Sequence, residues 1–335
     1  MSSPKNIWRA WFKEVMSPYG GQILTEVKDQ YGYIRVVKVG SFHAMYFDST
    51  SCQGRIDLDS PTTPSSEYIR SVLYSTLCLS KVERILLLGL GPGALVHPLL
   101  KVHPSAEIHI VELRSEVLRL AQLYFELPNG PRCHYYAQDA TNFLKKNKEI
   151  QFDIIIVDMA LSHGVSPLLL QPGFWTLISE NLTDESALIA NLWKGTEHNY
   201  PFINKQVRQL SVDRVWSIEH QSLDNIVICG IQGKYTAKDY LRMYRGMIEL
   251  AKTLHHSALY YIQQVAELKV LHEHQEKERL RKAKLVEVLE TLESIELPQV
   301  ELVDPYEQPD EEPANDTNES LETISVIWDD DSTKI

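Results

Sequence analysis

A glycine-rich turn at residues 89–94 is the part of this sequence best suited to bind a nucleotide. Its sequence is GLGPGA, with Gly89, Gly91 and Gly93 directly after an apolar run. Glycine is needed where a backbone turns tightly and approaches a ligand closely, and the helix that follows offers unpaired N–H groups to polar ligand atoms. The turn also satisfies the dinucleotide fingerprint, so by itself it does not choose between nucleotides.

Three acidic residues are predicted to end the strands that follow this turn. Glu112 lies about twenty residues further on, where a carboxylate can accept hydrogen bonds from both ribose hydroxyls. Asp139, which precedes Ala140, and Asp158 close the next two predicted strands. Each acid alone also fits a helix cap or a surface charge, although less well than a ligand contact. All three together lie at the edge where open α/β sheets bind ligands, which favours a nucleotide site.

The elements that would position these residues alternate between strands and helices from residue 83 onward. Uninterrupted apolar strands separated by helices indicate a parallel sheet that is buried on both faces. Two later strands are separated by only four residues and must pair as an antiparallel hairpin. The pattern predicts an α/β, Rossmann-like class I methyltransferase fold with a mostly parallel seven-stranded sheet. The predicted strands are 84–88, 107–111, 133–137, 153–157, 187–191, 215–220 and 225–231, and the helices between them are 94–101, 115–125, 140–146, 173–181 and 199–210.

The sequence predicts four segments along the chain. Residues 1–80 form a small β-rich segment, with strands predicted at 33–39 and 44–47 and an entering helix at about 67–79, and residues 81–234 form the nucleotide-binding domain. Residues 235–296 contain no proline, begin with a helix-capping pattern at Thr236–Asp239 and carry an apolar stripe, which together predict a long helical extension. Residues 297–335 are predicted to be disordered, since twelve acidic residues and a single lysine follow residue 300.

Composition excludes several classes of function. The net charge of −12 comes almost entirely from the acidic tail, so nothing indicates nucleic-acid binding. No apolar run is long enough for a signal peptide or a membrane span. The four cysteines form no CxxC pair, which favours reduced thiols and a cytoplasmic protein. His97, His103, His163 and the pair at 255–256 show no metal-ligand spacing, so no metal site is predicted.

Residues 23–233 resemble the spermidine synthase family, and specifically its bacterial spermidine synthase-like members. The resemblance rests on the segments ILLLGLGPG, IVEL, QDA and FDIIIVD, and on Phe47-Asp48, Gln53 and Tyr68. It implies that the N-terminal segment is a small β-domain that helps to form an amine groove. It also implies an adenosyl-sulfonium donor, decarboxylated S-adenosylmethionine or S-adenosylmethionine, in place of a nicotinamide dinucleotide. The acceptor would be a small molecule, an amine in the family, and members commonly form homodimers.

The resemblance implies a role for each candidate residue. Glu112 would hold the ribose, and the pair Asp139 and Ala140 would hold adenine. Asp158 would be the proton acceptor. Gln53 and Tyr68 match residues near the nucleotide and the amine.

The sequence departs from the family pattern where cations would be held. Pro92 replaces an acid that binds the donor's amine, and Leu161 replaces the second acid of the catalytic loop. Ile69-Arg70 replaces a His-Glu pair, and Gly32 stands in place of a glutamine. Losing a partner for a buried charge costs roughly 2–5 kcal/mol, so we expect weakened polyamine binding.

Three functions remain open from the sequence. The first is aminopropyl transfer to an altered acceptor with Asp158 as the base, in which Arg70 and Arg55 would suit a carboxylate-bearing acceptor. The second is methyl transfer from intact S-adenosylmethionine, whose own carboxylate would suit Pro92 and Arg70. The third is a non-catalytic nucleotide-binding or scaffold protein that uses its C-terminal helical segment.

Overall fold

The computed structural model describes residues 18–48, 50, 52–161, 164–193, 200–211, 214–219, 225–254 and 257–266. These residues form two larger β-sheets and a set of helices within one compact unit. The predicted disordered tail and the later part of the predicted helical extension lie outside the described residues. Among the described helices, none has both the length and the apolar character needed to cross a bilayer.

The N-terminal sheet is antiparallel, with its four strands in sequence order. The sequence pattern predicts its two middle strands but misses the outer two, whose side chains are mostly exposed or half-buried and therefore carry little apolar signal. Gly32 adopts a φ of +117° at the turn between the first two strands, a conformation that favours glycine. The strands are β1 (Gln22–Asp29), β2 (Gly32–Val39), β3 (Phe42–Tyr46) and β4 (Cys52–Asp57).

The second sheet has seven strands in the order β12-β13-β11-β8-β5-β6-β7. Its neighbours from β11 through β7 are parallel, whereas β13 pairs antiparallel with both β11 and β12. The predicted fold, a mostly parallel sheet ending in an antiparallel hairpin, is therefore confirmed. The strands are β5 (Arg84–Leu88), β6 (Glu107–Glu112), β7 (Cys133–Ala137), β8 (Phe152–Val157), β11 (Leu182–Trp193), β12 (Arg214–Glu219) and β13 (Asn225–Gln232); the short pair β9 (Ala160–Leu161) and β10 (Gly164–Val165) stands apart.

Helices alternate with the strands of this sheet as the apolar pattern predicts. Ile85, Ile154 and Ile189 in the central strands have no solvent exposure, as expected for a sheet covered on both faces. The helices are α1 (Glu67–Thr76), α2 (Val96–Val102), α3 (Ser115–Tyr124), α4 (Ala140–Lys146), α5 (Pro172–Glu180) and α6 (Tyr200–Leu210), with a 3₁₀ turn at Pro167–Leu170.

The described part of the predicted C-terminal helical segment consists of two helices, α7 (Ala237–Thr253) and α8 (Leu259–Ala266). The predicted start is confirmed, since Thr236 and Asp239 form a reciprocal capping box. Most of the apolar stripe is buried within the chain: Tyr244, Ile248, Ala251, Ile262 and Val265 are all less than 9% exposed. The stripe therefore covers the protein's own core.

Candidate active site

The order of the parallel strands brings the candidate residues together at one edge of the large sheet. Strands β8, β5, β6 and β7 are consecutive neighbours. Their carboxyl ends lead to Asp158, the glycine turn, Glu112 and Asp139, in that order. The chain order reverses between β5 and β8, and such a switch point is where open α/β folds bind ligands. Neighbouring strands are about 4.8 Å apart, so the row of these four strand ends is roughly 14 Å long. That length is similar to the length of a nucleoside with a short side chain.

The glycine turn has a backbone that requires glycine at three positions. Gly89, Gly91 and Gly93 have φ values of +98°, +54° and +87°. A Cβ atom on Gly89 would lie 2.8 Å from the backbone carbonyl carbon of Asp158. The Gly89 N–H donates to the carbonyl of Val111 at 2.8 Å, which ties the turn to β6. The turn is thus closely packed between the ends of β6 and β8.

Glu112 is buried behind this turn and hydrogen-bonds to its backbone. Its Oε2 accepts from the Leu90 N–H at 3.0 Å, and its Oε1 accepts from the Arg114 N–H at 2.9 Å. Burial raises the pKa of Glu112, while these N–H groups and that of Gly91 act in the opposite direction. Carboxylate oxygens have further lone pairs, so Glu112 can accept from ribose hydroxyls while it holds the turn.

Asp158 is held at the end of β8 by two asparagines that the sequence analysis did not identify. Its Oδ1 accepts from Asn191 Nδ2 at 2.8 Å, and Asn191 Oδ1 in turn accepts from Asn225 Nδ2 at 3.1 Å. Burial raises the pKa of Asp158 to about 6, and the Asn191 hydrogen bond opposes that increase. The carboxyl group is therefore oriented, and its pKa is close to the range in which a general base works at neutral pH.

A signal for Asn191 was available in the sequence. The residue ends the predicted strand 187–191, so the argument that places the acids at the carboxyl edge applies to Asn191 as well. Asn225 carried no comparable signal, because it begins an antiparallel strand. Only the pairing of β13 with β11 brings it beside Asn191.

Tyr68 and Gln53 approach the same edge from the N-terminal part of the chain. Burial raises the pKa of Tyr68 well above its usual value, and the nearby negative charge of Asp158 raises it further. The phenol therefore lies close to the candidate base. The Gln53 carbonyl oxygen lies 3.9 Å from the position that a Cβ on Gly91 would occupy. Strand β4 and helix α1 thus lie along one side of this edge of the sheet.

Asp139 and Ala140 occupy the start of α4, at the far end of the row. Asp139 Oδ1 accepts from the Asn142 N–H at 2.9 Å and so caps the helix. Ala140 is 7% exposed. Capping uses one oxygen of Asp139, and adenine recognition by this pair remains a prediction.

Two of the positions that depart from the family pattern, Pro92 and Ile69, pack within the protein. A Cβ on Gly54 would lie 2.7 Å from Pro92 Cγ, so Pro92 packs against β4. Ile69 is 1% exposed and belongs to the core. The guanidinium of Arg70 is ion-paired with Glu67. Recognition of a carboxylate-bearing acceptor would instead require a guanidinium that is available to the ligand. Leu161 lies in the short strand β9.

The small sheet is joined to the end of β6 by a buried ion pair that the sequence analysis also missed. Arg114 Nε and Nη2 donate to the two carboxylate oxygens of Asp29, each at 2.9 Å. The guanidinium also lies 4.5 Å from the ring centroid of Phe47. Arg114 is 8% exposed, so this contact is largely shielded from water. The ion pair therefore connects β1 to Arg114, which lies two residues after Glu112 in the chain.

Comparison with known proteins places this site within a known domain type. The family model described as the spermine/spermidine synthase domain matches residues 66–216, which include the glycine turn and all three acids. A polyamine aminopropyltransferase of Neisseria meningitidis is 22% identical over 213 residues, which cover 62% of this chain and 80% of that protein.

Solved structures show the same fold. A probable spermidine synthase from Corynebacterium glutamicum has a TM-score of 0.58 at 17% identity and covers 67% of this chain and 86% of its own. A spermidine synthase solved with the transition-state analogue AdoDATO has a TM-score of 0.56 at 13% identity, with 79% and 88% of the two chains covered. This chain therefore carries a spermine/spermidine synthase domain at residues 66–216 and is related to the polyamine aminopropyltransferases.

Proposed function

We propose that this protein transfers an aminopropyl group from decarboxylated S-adenosylmethionine to a small amine. The observation that carries the proposal is Asp158, a half-buried carboxyl group beside the glycine turn that accepts a hydrogen bond from Asn191 and whose pKa is raised to about 6. Above that pH the group is mostly ionised. It can then bind the acceptor's ammonium group and take its proton.

The reaction needs few groups beyond those at this edge. The neutral amine nitrogen attacks the aminopropyl carbon bonded to the sulfonium, and the carbon–sulfur bond breaks with its electron pair going to sulfur. Methylthioadenosine leaves as a neutral thioether. Asp158 takes the ammonium proton before this attack, so the product leaves as a secondary ammonium ion and only one proton is transferred. Glu112, Asp139 and Ala140 would hold the nucleoside, which fixes the reacting carbon opposite Asp158.

The relatives support this reaction over the alternatives that the sequence left open. The related protein from Neisseria meningitidis is a polyamine aminopropyltransferase, and the neighbour solved with AdoDATO is a spermidine synthase. We propose that the acceptor differs from a long polyamine, because Leu161 and Arg70 stand where the family pattern has acids and offer no anionic group. A short diamine requires fewer anionic contacts than a long polyamine.

The experiment is a matched pair of turnover assays with the purified chain. One contains decarboxylated S-adenosylmethionine and a series of mono-, di- and polyamines, and methylthioadenosine is quantified. The other contains S-adenosylmethionine, and S-adenosylhomocysteine is quantified. We expect methylthioadenosine formation that depends on the amine and is lost in Asp158→Asn but retained in Asp184→Asn, an exposed carboxylate away from this edge.

The opposite product would overturn the proposal. Formation of S-adenosylhomocysteine alone would establish a methyltransferase. If neither product forms, calorimetric titration with methylthioadenosine and with S-adenosylhomocysteine decides between the two remaining readings. Binding of neither nucleoside product would contradict the nucleotide site itself and leave a scaffold role.

A further inference from the structure

Three potential metal ligands converge at the edge of the large sheet opposite the nucleotide site. Glu107 and His109 lie two residues apart on β6, so their side chains share one face of the sheet. His134 on β7 is in register with His109. The strands are parallel, and these residues lie toward their amino ends. Glu107 is thus about 16 Å along β6 from Glu112.

The two imidazoles present nitrogen atoms without hydrogen-bond partners. His109 Nε2 and His134 Nε2 are inaccessible to solvent, and neither is hydrogen-bonded within the part of the chain that the structure describes. The His109 side chain is only 7% exposed. A buried polar atom without a partner is costly and calls for a ligand. Each Nε2 atom instead lies 3.9 Å from Glu107 Oε2, too far for a hydrogen bond.

We propose that Glu107, His109 and His134 bind a divalent transition-metal ion of the zinc class. One ligand atom from each residue lies within 4.8 Å of the other two. Ligand atoms on a tetrahedral zinc ion are about 3.3 Å apart, given zinc–nitrogen distances near 2.05 Å. The distances between the ligand atoms must therefore shorten by up to about 1.5 Å around an ion. The side chains of Glu107 and His134, which are 51% and 37% exposed, have room to make that adjustment.

The surroundings of His109 are those of an oriented metal ligand. Its Nδ1 atom lies 3.1 Å from the Tyr136 hydroxyl oxygen. When Nδ1–H donates to that oxygen, the Nε2 lone pair faces Glu107, which is the usual arrangement of an outer partner behind a metal-binding histidine. The ring of Phe152 packs edge-on against His109 with centroids 5.2 Å apart and limits its rotation. Two imidazoles and a carboxylate form a set that zinc commonly uses with a water as its fourth ligand.

One nearby positive charge would repel a metal ion bound at this cluster. The positive charge of Arg84 acts on His109, so it also acts on a cation bound there. The carboxylate of Glu107 offsets this repulsion. Removal of the Arg84 charge should therefore tighten metal binding, whereas removal of the Glu107 charge should weaken it.

Zinc binding to the apoprotein tests the proposal directly. The full-length chain is treated with chelator, dialysed and titrated calorimetrically with Zn²⁺, and retained metal is counted by mass spectrometry. Because His272 and His274 could also bind zinc, a His272→Gln/His274→Gln variant serves as the background in which one site should remain. In that background we expect Glu107→Gln and His134→Ala to abolish this site, and Tyr136→Phe to weaken it about 10–100-fold. Arg84→Gln should bind more tightly than the background.

Substitution of the two partly exposed ligands should remove the metal site without unfolding the protein. Glu107 and His134 are partly exposed, and circular dichroism together with the melting temperature of the metal-free protein confirms that each variant is folded. Zinc should raise the melting temperature of the background protein and leave that of His134→Ala unchanged. Equal zinc stoichiometry and affinity in the background, Glu107→Gln and His134→Ala would overturn the proposal. So would the absence of zinc binding in the background protein.

Discussion

Gly89 lies directly against the backbone of Asp158, because the two residues end neighbouring parallel strands at the switch point of the sheet. A Cβ at Gly89 would overlap the Asp158 carbonyl group, whose carbon would lie only 2.8 Å away. The Asp158 N–H donates to the Leu88 carbonyl at 2.9 Å and holds the two strand ends together. The glycine turn, which would hold the donor, and Asp158, the candidate base, therefore form one packed unit.

Gly89→Ala should separate these two strand ends. The φ of +98° is strained for alanine, and the added methyl group meets backbone atoms that cannot rotate away. We expect a loss of about 2–4 kcal/mol in the free energy of unfolding and loss of methylthioadenosine binding. Urea denaturation and calorimetry measure the two effects. Gly130→Ala is the matched control, since nothing lies within 4 Å of a Cβ at that position; equal behaviour of the two variants would contradict the packing argument.

Asp158→Asn should stabilise the protein while it abolishes turnover. The pKa of Asp158 is about 6 in the folded state, above its ordinary value of 3.8. The contribution of this group to stability is therefore fully present below about pH 4 and is lost as the pH rises through 6. At pH 7.5 the ionised group costs about 2–3 kcal/mol, which asparagine avoids.

Urea denaturation from pH 4 to pH 8 checks this prediction. The difference in unfolding free energy between Asp158→Asn and the parent should increase up to about pH 6.5 and then stay constant. A difference that decreases as the pH rises would have the wrong sign and would show that the folded state favours the charged carboxylate.

Asn191→Leu should move the pH dependence of catalysis. The Asn191 amide stabilises the charged form of Asp158, so its removal raises the pKa of Asp158 above 6. We expect the acidic limb of the kcat/KM profile to shift to higher pH. The hydrogen bond to the charged group is worth about 1.5–3 kcal/mol, or roughly one to two pKa units, so activity at pH 7 should fall about 2–10-fold and recover at pH 9.

A graded control separates positioning from simple destabilisation. Asn225 donates to Asn191 and so supports the amide that donates to Asp158, and Asn225→Leu should therefore give a smaller shift in the same direction. A loss of activity that is the same at every pH in both variants would show that the asparagines act on folding or binding instead.

Arg114→Met should uncouple the small sheet from the end of β6. The change leaves the Asp29 carboxylate buried without its bidentate partner, which costs about 3–5 kcal/mol. Asp29→Leu should cost a similar amount, and the double variant should cost clearly less than the sum. A double-mutant cycle by urea denaturation measures this coupling, and strictly additive losses would mean that the pair does not hold the two parts together.

The local pattern of the sequence was sufficient for the class of fold and for the principal candidate residues. Continuous apolar runs separated by helices indicate a parallel sheet, and the ends of those runs identify Glu112, Asp139 and Asp158 as neighbours at one edge. This inference works because every parallel strand ends on the same side of the sheet. The outer strands β1 and β4 were missed because half-exposed strands have weak apolar periodicity.

Only the tertiary structure decided which side chains touch. Asn191 reaches Asp158 across neighbouring strands, and Arg114 reaches Asp29 across 85 positions of sequence. The cluster of Glu107, His109 and His134 depends on the register between β6 and β7, which no spacing along the chain reveals. Strand order and register are set by the packing of the whole core, whereas element type is set by the residues within each element. For that reason the sequence alone determined the fold class and the row of acids, and tertiary packing alone determined how Asp158 is held and where a metal ion can bind.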